Sequence, residues 1–302
     1  MINSPYESLP SIHFHHGQLW SGTPPHFFEH FYNDFDDRAD DVWLISYPRS
    51  GTAWAYEIIY AVLYEGDITA LRQAQSEGKI LSFLPLEISG AASVSDHINT
   101  WKALPLPRVV PTHLPYRLFP KTVLERKRKR IHVWRNPKDV AVSFYHFHRS
   151  LKSLGCYRGT WDDFFEYFIS GQVVGGSWFD HVLEWWPSAQ EDEDAVLALH
   201  YEDMKQDLAA QVRRLGAFLG KDLSSQAIAA IEEHGSFQSM SANPFTNREG
   251  NPIIDLSISS FLRKGVIGDW KTHFTEEQNE RFNALWEQKM AGNVDGQRCW
   301  GV

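Results

Sequence analysis

The sequence predicts an α/β fold, a single domain with a central parallel β-sheet that helices flank. Four apolar runs have the length and composition of buried strands: 42–47, 107–112, 131–134 and 195–200. Amphipathic runs with helical spacing follow two of them, at 53–64 and 138–150. Because strands that alternate with helices favour a parallel sheet covered on both faces, ligands are expected at the carboxyl ends of the strands.

The remaining segments fit one domain over residues 1–302. The aromatic-rich stretches 161–168 and 178–186 place apolar residues three and four apart, which predicts helices with one buried face rather than an aromatic cofactor site. Residues 65–105 are expected to be mostly loop, and further helices are expected between residues 200 and 233. No Gly/Ser/Pro-rich linker or repeat divides the 302 residues, a length that one large core accommodates.

Composition and charge argue against several classes of protein. The formal net charge of −9 opposes binding to a polyanion, so no nucleic-acid partner is expected. Two cysteines, Cys156 and Cys299, cannot build a disulfide framework, and residues 1–22 lack the basic and apolar regions of a secretion signal. No apolar stretch approaches the roughly 18 residues that span a bilayer. These features predict a cytoplasmic protein without a membrane partner.

Two further features invite functional interpretations that we do not favour. The basic run 126–130 has the composition of a nuclear-localisation or phosphate-binding surface, but a solvated segment that leads into the next strand is the simpler interpretation. His146 and His148 are two residues apart on a predicted helix, so they point to different faces and make a poor metal pair. We expect no metal site.

The segment YPRSGTAW at residues 47–54 joins a predicted strand to a predicted helix. Such a turn leaves free backbone N–H groups at the positive end of the helix dipole, where anions bind. The turn is therefore P-loop-like, although the GxxxxGK(S/T) spacing of nucleoside triphosphatases is absent and Gly51 is its one glycine. The context predicts a phosphate cradle without naming the ligand.

Two later segments add cations that suit a second phosphate. Arg135 ends a predicted strand and Ser143 lies in the next helix, so a guanidinium and a hydroxyl can bind the same group. The segment FLRKGVIGDWK at 261–271 adds Arg263 and Lys264, next to a glycine that favours an ordered loop. Two phosphate sites imply a nucleotide that carries two phosphates.

These segments occur in the order of three signatures of the cytosolic sulfotransferase family, YPKSGTTW, RNxKDVxxSxYHF and RKGxxGDWKxxFT, and the chain resembles that family. THLP at 112–115 and HYEDM at 200–204 match two more family motifs, so the resemblance extends over nearly the whole chain. It implies that the sulfuryl donor is 3′-phosphoadenosine 5′-phosphosulfate (PAPS) and that the product is 3′-phosphoadenosine 5′-phosphate (PAP), with no metal. The expected acceptor is a small, mostly apolar phenol, alcohol or steroid-like molecule.

The resemblance assigns roles to individual residues. It makes His113 the general base, and Arg49 and Ser143 further catalytic residues. The residues expected to contact the nucleotide are Arg49, Ser50, Gly51, Thr52, Ala53, Trp54, Arg135, Ser143, Tyr201, Ser236, Phe237, Met240, Phe261, Arg263, Lys264 and Gly265. Those expected to contact the acceptor are Phe83, Leu84, Leu86, His113, Phe144 and Phe147.

Three positions depart from the family pattern. Arg49 stands where a lysine is usual, and it keeps the positive charge that the leaving phosphate needs. Ala53 replaces a threonine, which removes one hydroxyl contact to the 5′-phosphate and about 0.5–1.5 kcal/mol of donor affinity. Pro111 replaces a lysine that contacts the transferring sulfuryl group, and proline offers neither charge nor N–H. Either another group supplies that charge or turnover is low.

The family's dimer motif, KxxxTVxxxE, falls at residues 271–280, where Glu276 takes the place of the valine. Burying a carboxylate at a small two-fold contact is costly unless the carboxylate finds a partner. The resemblance leaves a homodimer open, but a dimer through this segment is not expected.

Three alternatives remain open from the sequence. A PAPS-dependent alcohol dehydratase would use the same donor but eliminate sulfate, so no sulfate ester would accumulate. A PAP- or PAPS-binding protein with weak or no catalysis would fit the departures at Arg49, Ala53 and Pro111. A nucleotide kinase with an unusual cradle would need magnesium and a nucleoside triphosphate.

Overall fold

The computed structural model describes residues 12–15, 17–21, 36–81, 94–105, 107–190, 193–290 and 292. Its strands are β1 (Ile12–His15), β2 (Gln18–Ser21), β3 (Val42–Ser46), β4 (Val109–Thr112), β5 (Lys129–Trp134) and β6 (Val196–His200). Its helices are α1 (Thr52–Leu63), α2 (Ile68–Ser76), α3 (Val94–Ala103), α4 (Lys121–Glu125), α5 (Pro137–Ser150), α6 (Trp161–Ile169), α7 (Trp178–Gln190), α8 (Tyr201–Gln206), α9 (Leu208–Leu219), α10 (Ser225–His234), α11 (Phe237–Ala242), α12 (Pro244–Asn247) and α13 (Glu276–Met290). Short 3₁₀ turns span Tyr116–Leu118, Lys152–Leu154 and Asp269–Thr272.

Four of these strands form one parallel sheet in the order β4-β3-β5-β6. Leu44 of β3 lies between Pro111 of β4 and Ile131 of β5, so β3 is an interior strand with partners on both sides. Parallel neighbours need crossover connections, and the helices between the strands supply them. The predicted α/β class with a central parallel sheet is confirmed. The four predicted strands lie within two residues of their expected ends.

Helices cover both faces of the sheet, and the side chains of β3 alternate between them. Trp43 and Ile45 point to one face and belong to a core shared with α5, α6, α7 and α13. Val42 and Leu44 point to the other face, where residues of α1, α9 and α10 complete a second core. The aromatic-rich segments form α6 and α7, as predicted. Among the described residues, no helix combines the length and the apolar character that a membrane span requires.

The expectation of mostly loop between residues 65 and 105 is wrong. The helices α2 and α3 lie in this stretch, and residues 82–93 between them are outside the described part of the chain. Asp67 caps α2 by accepting a hydrogen bond from the Ala70 N–H at 2.9 Å, and the helix buries only three of its residues. So few buried positions give a period too weak to recognise in the sequence. The antiparallel β1–β2 hairpin is a further element that the sequence pattern does not predict.

The basic run 126–130 is only partly the solvated segment that we expected. Arg126 and Arg128 both pair with the carboxylate of Asp37, whose side chain is 4% exposed. Arg130 belongs to β5, is 5% exposed and donates to a buried serine hydroxyl at 2.9 Å. Since these cations bind groups within the fold, little of the run is left for a phosphate-binding surface.

A buried ion pair holds the starts of β3 and β4 together. Asp41 precedes β3 and Arg108 precedes β4; Arg108 Nε donates to Asp41 Oδ1 at 2.6 Å, and Nη2 donates to Oδ2 at 2.5 Å. Both side chains are 0% exposed. The Val42 N–H donates to the Arg108 carbonyl at 2.8 Å, so the side chains and the backbone fix the same alignment of the two strands.

Asp41→Asn is expected to lower the free energy of unfolding by about 3–5 kcal/mol, because it leaves the Arg108 guanidinium buried without its counter-charge. Urea denaturation followed by circular dichroism measures the change. Asp40→Asn, at an exposed carboxylate one residue earlier, is the control and should change stability by less than about 0.5 kcal/mol. A loss below about 1 kcal/mol in Asp41→Asn would place the pair in the range of surface ion pairs and contradict the prediction.

Candidate active site

The turn between β3 and α1 has the geometry of an anion cradle. Arg49 and Gly51 adopt positive φ angles of 69° and 99°, which turn the chain sharply from the end of the strand into the helix. The first bond of helical spacing in α1 runs from the Ala55 N–H to the Gly51 carbonyl at 3.0 Å. The N–H groups of residues 52–54 precede this bond and therefore lie at the positive end of the helix dipole.

Gly51 lies against the ring of Tyr201, which begins α8 directly after β6. A Cβ atom at position 51 would lie 2.6 Å from Tyr201 Cδ2, closer than real side chains approach. The same ring meets Trp54 edge-on, with centroids 5.3 Å apart, and Arg135 Cζ lies 4.2 Å from its centroid. Trp54 Nε1 donates to the Gly235 carbonyl at 2.8 Å. Aromatic and cationic residues assigned to the nucleotide by resemblance thus come together beside the cradle.

Arg49 extends from the turn into the space between α5 and the loop that follows α12. Its Nε donates to the Ser143 hydroxyl at 3.1 Å, and its Nη2 donates to the Phe261 carbonyl at 2.9 Å. The guanidinium stacks on two rings, 4.8 Å from the centroid of Phe147 and 4.9 Å from that of Phe261. Burial, reinforced by two neighbouring guanidinium groups, lowers the pKa of Arg49, but a guanidinium stays protonated at physiological pH. The structure therefore holds a cation in a fixed place beside the cradle.

The second predicted phosphate segment lies beside the first because β5 is a parallel neighbour of β3. Arg135 follows β5, is 8% exposed and donates from Nη1 to the Arg49 carbonyl at 3.1 Å. Its Nε is buried and has no hydrogen-bond partner within the described residues. Asn136 caps α5 by accepting from the Lys138 N–H at 2.9 Å, and this helix carries Ser143. An unpaired, buried guanidinium N–H at this position suits an anionic ligand.

The third predicted segment contributes two more cations. Arg263 and Lys264 line the same cavity as Arg49, and both pair with the carboxylate of Asp269. Gly265 has a φ of 64°, and a Cβ atom there would lie 2.5 Å from Phe237 Cδ2. This close approach joins the loop to the start of α11.

His113 follows β4, the parallel neighbour on the other side of β3. Its Nδ1 lies 2.8 Å from the Ser46 carbonyl oxygen, which can only accept, so Nδ1 carries the proton and Nε2 keeps its lone pair. Burial lowers the pKa of His113 to about 4; the bond to Ser46 opposes this effect and the Arg49 charge reinforces it. The imidazole is therefore neutral at physiological pH and can accept a proton at Nε2.

One cavity of about 340 Å³ joins these groups. The predicted nucleotide residues that line it, together with His113, are Arg49, Gly51, Thr52, Ala53, Trp54, Arg135, Ser143, Tyr201, Phe237, Met240, Phe261, Arg263, Lys264 and Gly265. Ser50 and Ser236 are not among its lining residues. Ser50 is 1% exposed, and the Ser236 hydroxyl caps α11 by accepting from the Ser239 N–H at 3.1 Å. The lining of the cavity therefore gives no support to the contacts expected of these two serines.

The predicted acceptor residues divide into two groups. His113, Phe144 and Phe147 line the cavity, whereas Phe83, Leu84 and Leu86 lie outside the described residues. Apolar residues that sequence reasoning missed also line it: Trp20, Leu151, Leu154, Val174, Ile253 and Ile254. The strand β2 reaches the cavity because the Gly175 N–H donates to the Leu19 carbonyl at 2.9 Å. Contacts of this kind join segments far apart in the chain, and no local motif marks them.

The departures from the family pattern have clear structural settings. Pro111 is buried in β4, an edge strand of the sheet, where the missing N–H of proline is tolerated. Ala53 lines the cavity in the first turn of α1, so its backbone N–H remains available. Glu276 is exposed in the first turn of α13, where a carboxylate interacts favourably with the helix dipole.

The two histidines of α5 point to different surroundings, as their spacing predicts. His148 is buried and lines the cavity, whereas His146 Nε2 lies 3.2 Å from His273 Nε2. In the part of the chain that the structure describes, no group of three or more His, Cys, Asp or Glu side chains is arranged to hold a metal ion.

Comparison with known proteins identifies the class of this site. The chain matches the sulfotransferase domain over residues 39–294. It is 41% identical to sulfotransferase 1A1 of Bos taurus over 260 residues, which covers 85% of this chain and 86% of that protein. It is 40% identical to human sulfotransferase 1C2 over 263 residues, which covers 85% of this chain and 86% of that protein. The chain therefore belongs to the sulfotransferase family.

Solved structures share the fold. The mouse sulfotransferase SULT7A1 complexed with PAP has a TM-score of 0.79 at 35% identity, covering 96% of this chain and 97% of that one. Retinol dehydratase in a complex with retinol and PAP has a TM-score of 0.77 at 26% identity, and the match covers 92% of this chain and 88% of that one. The chain is thus a PAPS-dependent sulfotransferase enzyme, as its sequence predicts.

Gly51→Ala is expected to weaken PAP binding by about tenfold or more, because the new methyl group must displace the Tyr201 ring that borders the cradle. Titration calorimetry with PAP measures the dissociation constant. Gly220→Ala is the matched control, since Gly220 also has a positive φ, of 70°, but nothing lies within 4 Å of its Cβ position. Unchanged affinity in Gly51→Ala would contradict the contact of the cradle with Tyr201.

The pH dependence of kcat/KM is expected to show a broad plateau. Activity should be lost as the pH falls through the pKa of His113, about 4, because the protonated imidazole cannot act as a base. The plateau should extend through the alkaline range, because the Arg49 guanidinium keeps its proton there. Arg49→Lys should add an alkaline limb, because burial beside two guanidinium groups lowers the pKa of an ammonium from its ordinary value of about 10.4.

Rates measured over this pH range test the plateau, and assays at neutral pH after exposure to each pH separate titration from unfolding. An acid limb near the ordinary histidine pKa of about 6.5 would show that burial does not lower the pKa of His113. An Arg49→Lys variant without an alkaline limb would show that the reaction does not need a charge at this position.

Proposed function

We propose that this enzyme moves a sulfuryl group from PAPS to a hydroxyl of a small, mostly apolar acceptor, with His113 as general base and PAP as product. The observation that carries the proposal is the hydrogen bond from His113 Nδ1 to the Ser46 carbonyl at 2.8 Å. It leaves Nε2 as a neutral base, and His113 lines the cavity that the phosphate cradle and several arginines also line.

The residues present fit a bisphosphorylated adenosine. The start of α1 offers backbone N–H groups to one phosphate, and Arg135, Ser143 and Arg263 offer charged and hydroxyl donors to the other. Trp54 and Tyr201 offer aromatic surfaces to the base. The buried Nε of Arg135, unpaired among the described residues, needs an acceptor of the kind that a phosphate oxygen provides. The PAP-bound structures of related proteins support the assignment.

Each catalytic residue has one task in this arrangement. When bound, PAPS supplies a sulfuryl group attached to its 5′-phosphate. His113 accepts the proton of the acceptor hydroxyl at Nε2, which makes the oxygen a better nucleophile. The Arg49 guanidinium, held by Ser143 and the Phe261 carbonyl, places positive charge where the leaving phosphate gains negative charge. Arg49 also supplies charge near His113 where Pro111 offers none, since its charge lowers the pKa of His113.

The proposed acceptor class follows from the apolar part of the lining. Phe144 and Phe147 of α5 are nearly parallel, with ring centroids 6.4 Å apart. Trp20, Leu151 and Ile254 add further apolar surface to the same cavity. Walls of this kind bury an apolar body, while a few polar groups fix its orientation. A phenol, an alcohol or a steroid-like alcohol meets that description.

The other enzymatic interpretation, a PAPS-dependent dehydratase, has less support. Relatives at 41% and 40% identity are sulfotransferases, whereas the retinol dehydratase structure is 26% identical. Both reactions begin with the same donor, so the product separates them. A sulfate ester accumulates only if the sulfuryl group stays on the acceptor.

The proposal predicts that radiolabel moves from sulfur-labelled PAPS to at least one member of a panel of phenols, alcohols and sterols. His113→Ala should lower kcat by a factor of about 10²–10⁴, because the hydroxyl proton loses its acceptor, while PAP binding is retained. Chromatography of the labelled products measures the transfer and shows whether a sulfate ester accumulates. Transfer should continue with EDTA present, which separates this reaction from that of a magnesium-dependent kinase.

Equal transfer by His113→Ala would remove the histidine from the mechanism. Tight PAP binding by the wild-type protein without transfer to any acceptor would favour a binding protein instead. Release of sulfate without a sulfate ester would favour the dehydratase.

Location and assembly complete the proposal. The cytoplasm is the proposed location, supported by the low cysteine content and by the similarity to the cytosolic members of the family in sequence motifs. Assembly through residues 271–280 is not expected, because Glu276 is charged and exposed at the start of α13.

A further inference from the structure

One carboxylate holds the two cations of the third phosphate segment. Lys264 Nζ donates to Asp269 Oδ1 at 2.6 Å, and Arg263 Nη2 donates to Asp269 Oδ2. The Asp269 side chain is 5% exposed, while those of Arg263 and Lys264 are 19% and 48% exposed. Each carboxylate oxygen therefore restrains one long side chain that would otherwise sample many conformations.

A second carboxylate fixes the backbone on both sides of Asp269. Asp139 Oδ2 accepts from the Gly268 N–H at 2.7 Å, and Asp139 Oδ1 accepts from the Trp270 N–H at 2.9 Å. Asp139 is 1% exposed and lies in the first turn of α5, the helix that also carries Ser143. The position of the Asp269 carboxylate, and hence of both cations, is therefore set relative to Ser143.

Arg263 keeps a donor that no described residue uses. Its Nε is buried and has no hydrogen-bond partner among the residues that the structure describes. Arg263 lines the cavity, and after burial and Arg135 its charge contributes to the lowered pKa of Arg49. A buried guanidinium N–H without an acceptor is costly, and an anion in the cavity would supply one. The bond to Asp269 thus leaves Arg263 free to donate to a ligand.

We infer that Asp269 is a positioning residue for the 3′-phosphate, the group that distinguishes PAP and PAPS from other adenine nucleotides. It holds Arg263 and Lys264 in place relative to Ser143, so that the three residues bind one phosphate together. The inference rests on the proposed donor. Asp269 contacts the cations rather than the reacting atoms. Its loss should therefore lower the preference of the protein for nucleotides that carry a 3′-phosphate.

In the opposite role, the Asp269 carboxylate occupies the place of the phosphate, and the ligand must displace this carboxylate from the two cations. In that case removal of the carboxylate would tighten binding. The geometry favours positioning, because the backbone at Asp269 is also held by the Thr272 hydroxyl, which donates to the Asp269 carbonyl at 2.8 Å. The unused Nε of Arg263 further allows the ligand and Asp269 to bind the same guanidinium at once.

The test compares Asp269→Asn with the wild-type protein in titration calorimetry against adenosine 3′,5′-bisphosphate and adenosine 5′-monophosphate. Asparagine keeps the size and one acceptor oxygen but removes the charge. The dissociation constant of the bisphosphate is expected to rise on the order of tenfold, because two charge-assisted bonds lose their orientation. That of the monophosphate should change less than about twofold, so the ratio of the monophosphate constant to the bisphosphate constant falls.

The ratio is informative because a general loss of structure would weaken both nucleotides alike. Asp222→Asn removes the same formal charge at an exposed position outside the cavity lining and should leave the ratio unchanged. If Asp269→Asn does not fold, Asp269→Glu provides a second test, since it keeps the charge but moves the carboxylate by one methylene group. The ratio should fall in that variant as well, and a wild-type ratio would overturn the inference.

Equal weakening of both nucleotides in Asp269→Asn, or tighter binding of the bisphosphate, would also overturn the inference. Failure of the wild-type protein to bind the bisphosphate at all would instead overturn the proposed donor. The two failures are therefore distinguishable in one set of titrations.

Discussion

The arrangement of the site depends on the left-handed turn at Arg49. A positive φ at a residue other than glycine costs about 1–2 kcal/mol, so the turn persists only because other contacts hold it. Arg135 donates to the Arg49 carbonyl, while the Arg49 guanidinium binds the Ser143 hydroxyl and the Phe261 carbonyl. The strained residue thus lies where β3, β5 and the loop after α12 meet. The cradle and the proposed catalytic cation are both positioned by these contacts.

Much of this arrangement could be predicted from the sequence because the decisive signals are local. The strand β3, its turn and the start of α1 are consecutive, and Arg135 and Ser143 share one strand–helix unit. A parallel sheet brings the carboxyl ends of its strands to one edge, so neighbouring motifs converge without further information. His113 then reaches the Ser46 carbonyl simply because β4 pairs with β3.

The rest of the site depends on contacts between segments that are distant in the chain. Trp20 reaches the cavity through the pairing of β2 with the segment around Gly175, and neither segment carries a motif. The resemblance predicts that Ser236 contacts the nucleotide, but a serine before a helix has the same sequence signal when its hydroxyl caps that helix. Asp269 lies in the same signature as Arg263 and Lys264, but the motif does not reveal that one carboxylate pairs with both cations; the path of the loop brings the three together.

Phe261 links the donor part of the site to the acceptor part. Its carbonyl and its ring both contact Arg49, and the same ring meets Phe147 edge-on, with centroids 6.2 Å apart. Phe147 therefore serves two purposes, whereas Leu154 and Ile254 line the cavity with aliphatic side chains, which cannot form a cation–π contact. The acceptor preference can therefore change more easily through substitutions at some lining positions than at others. Divergence can proceed at the aliphatic positions, while a change at Phe147 also alters the environment of the guanidinium.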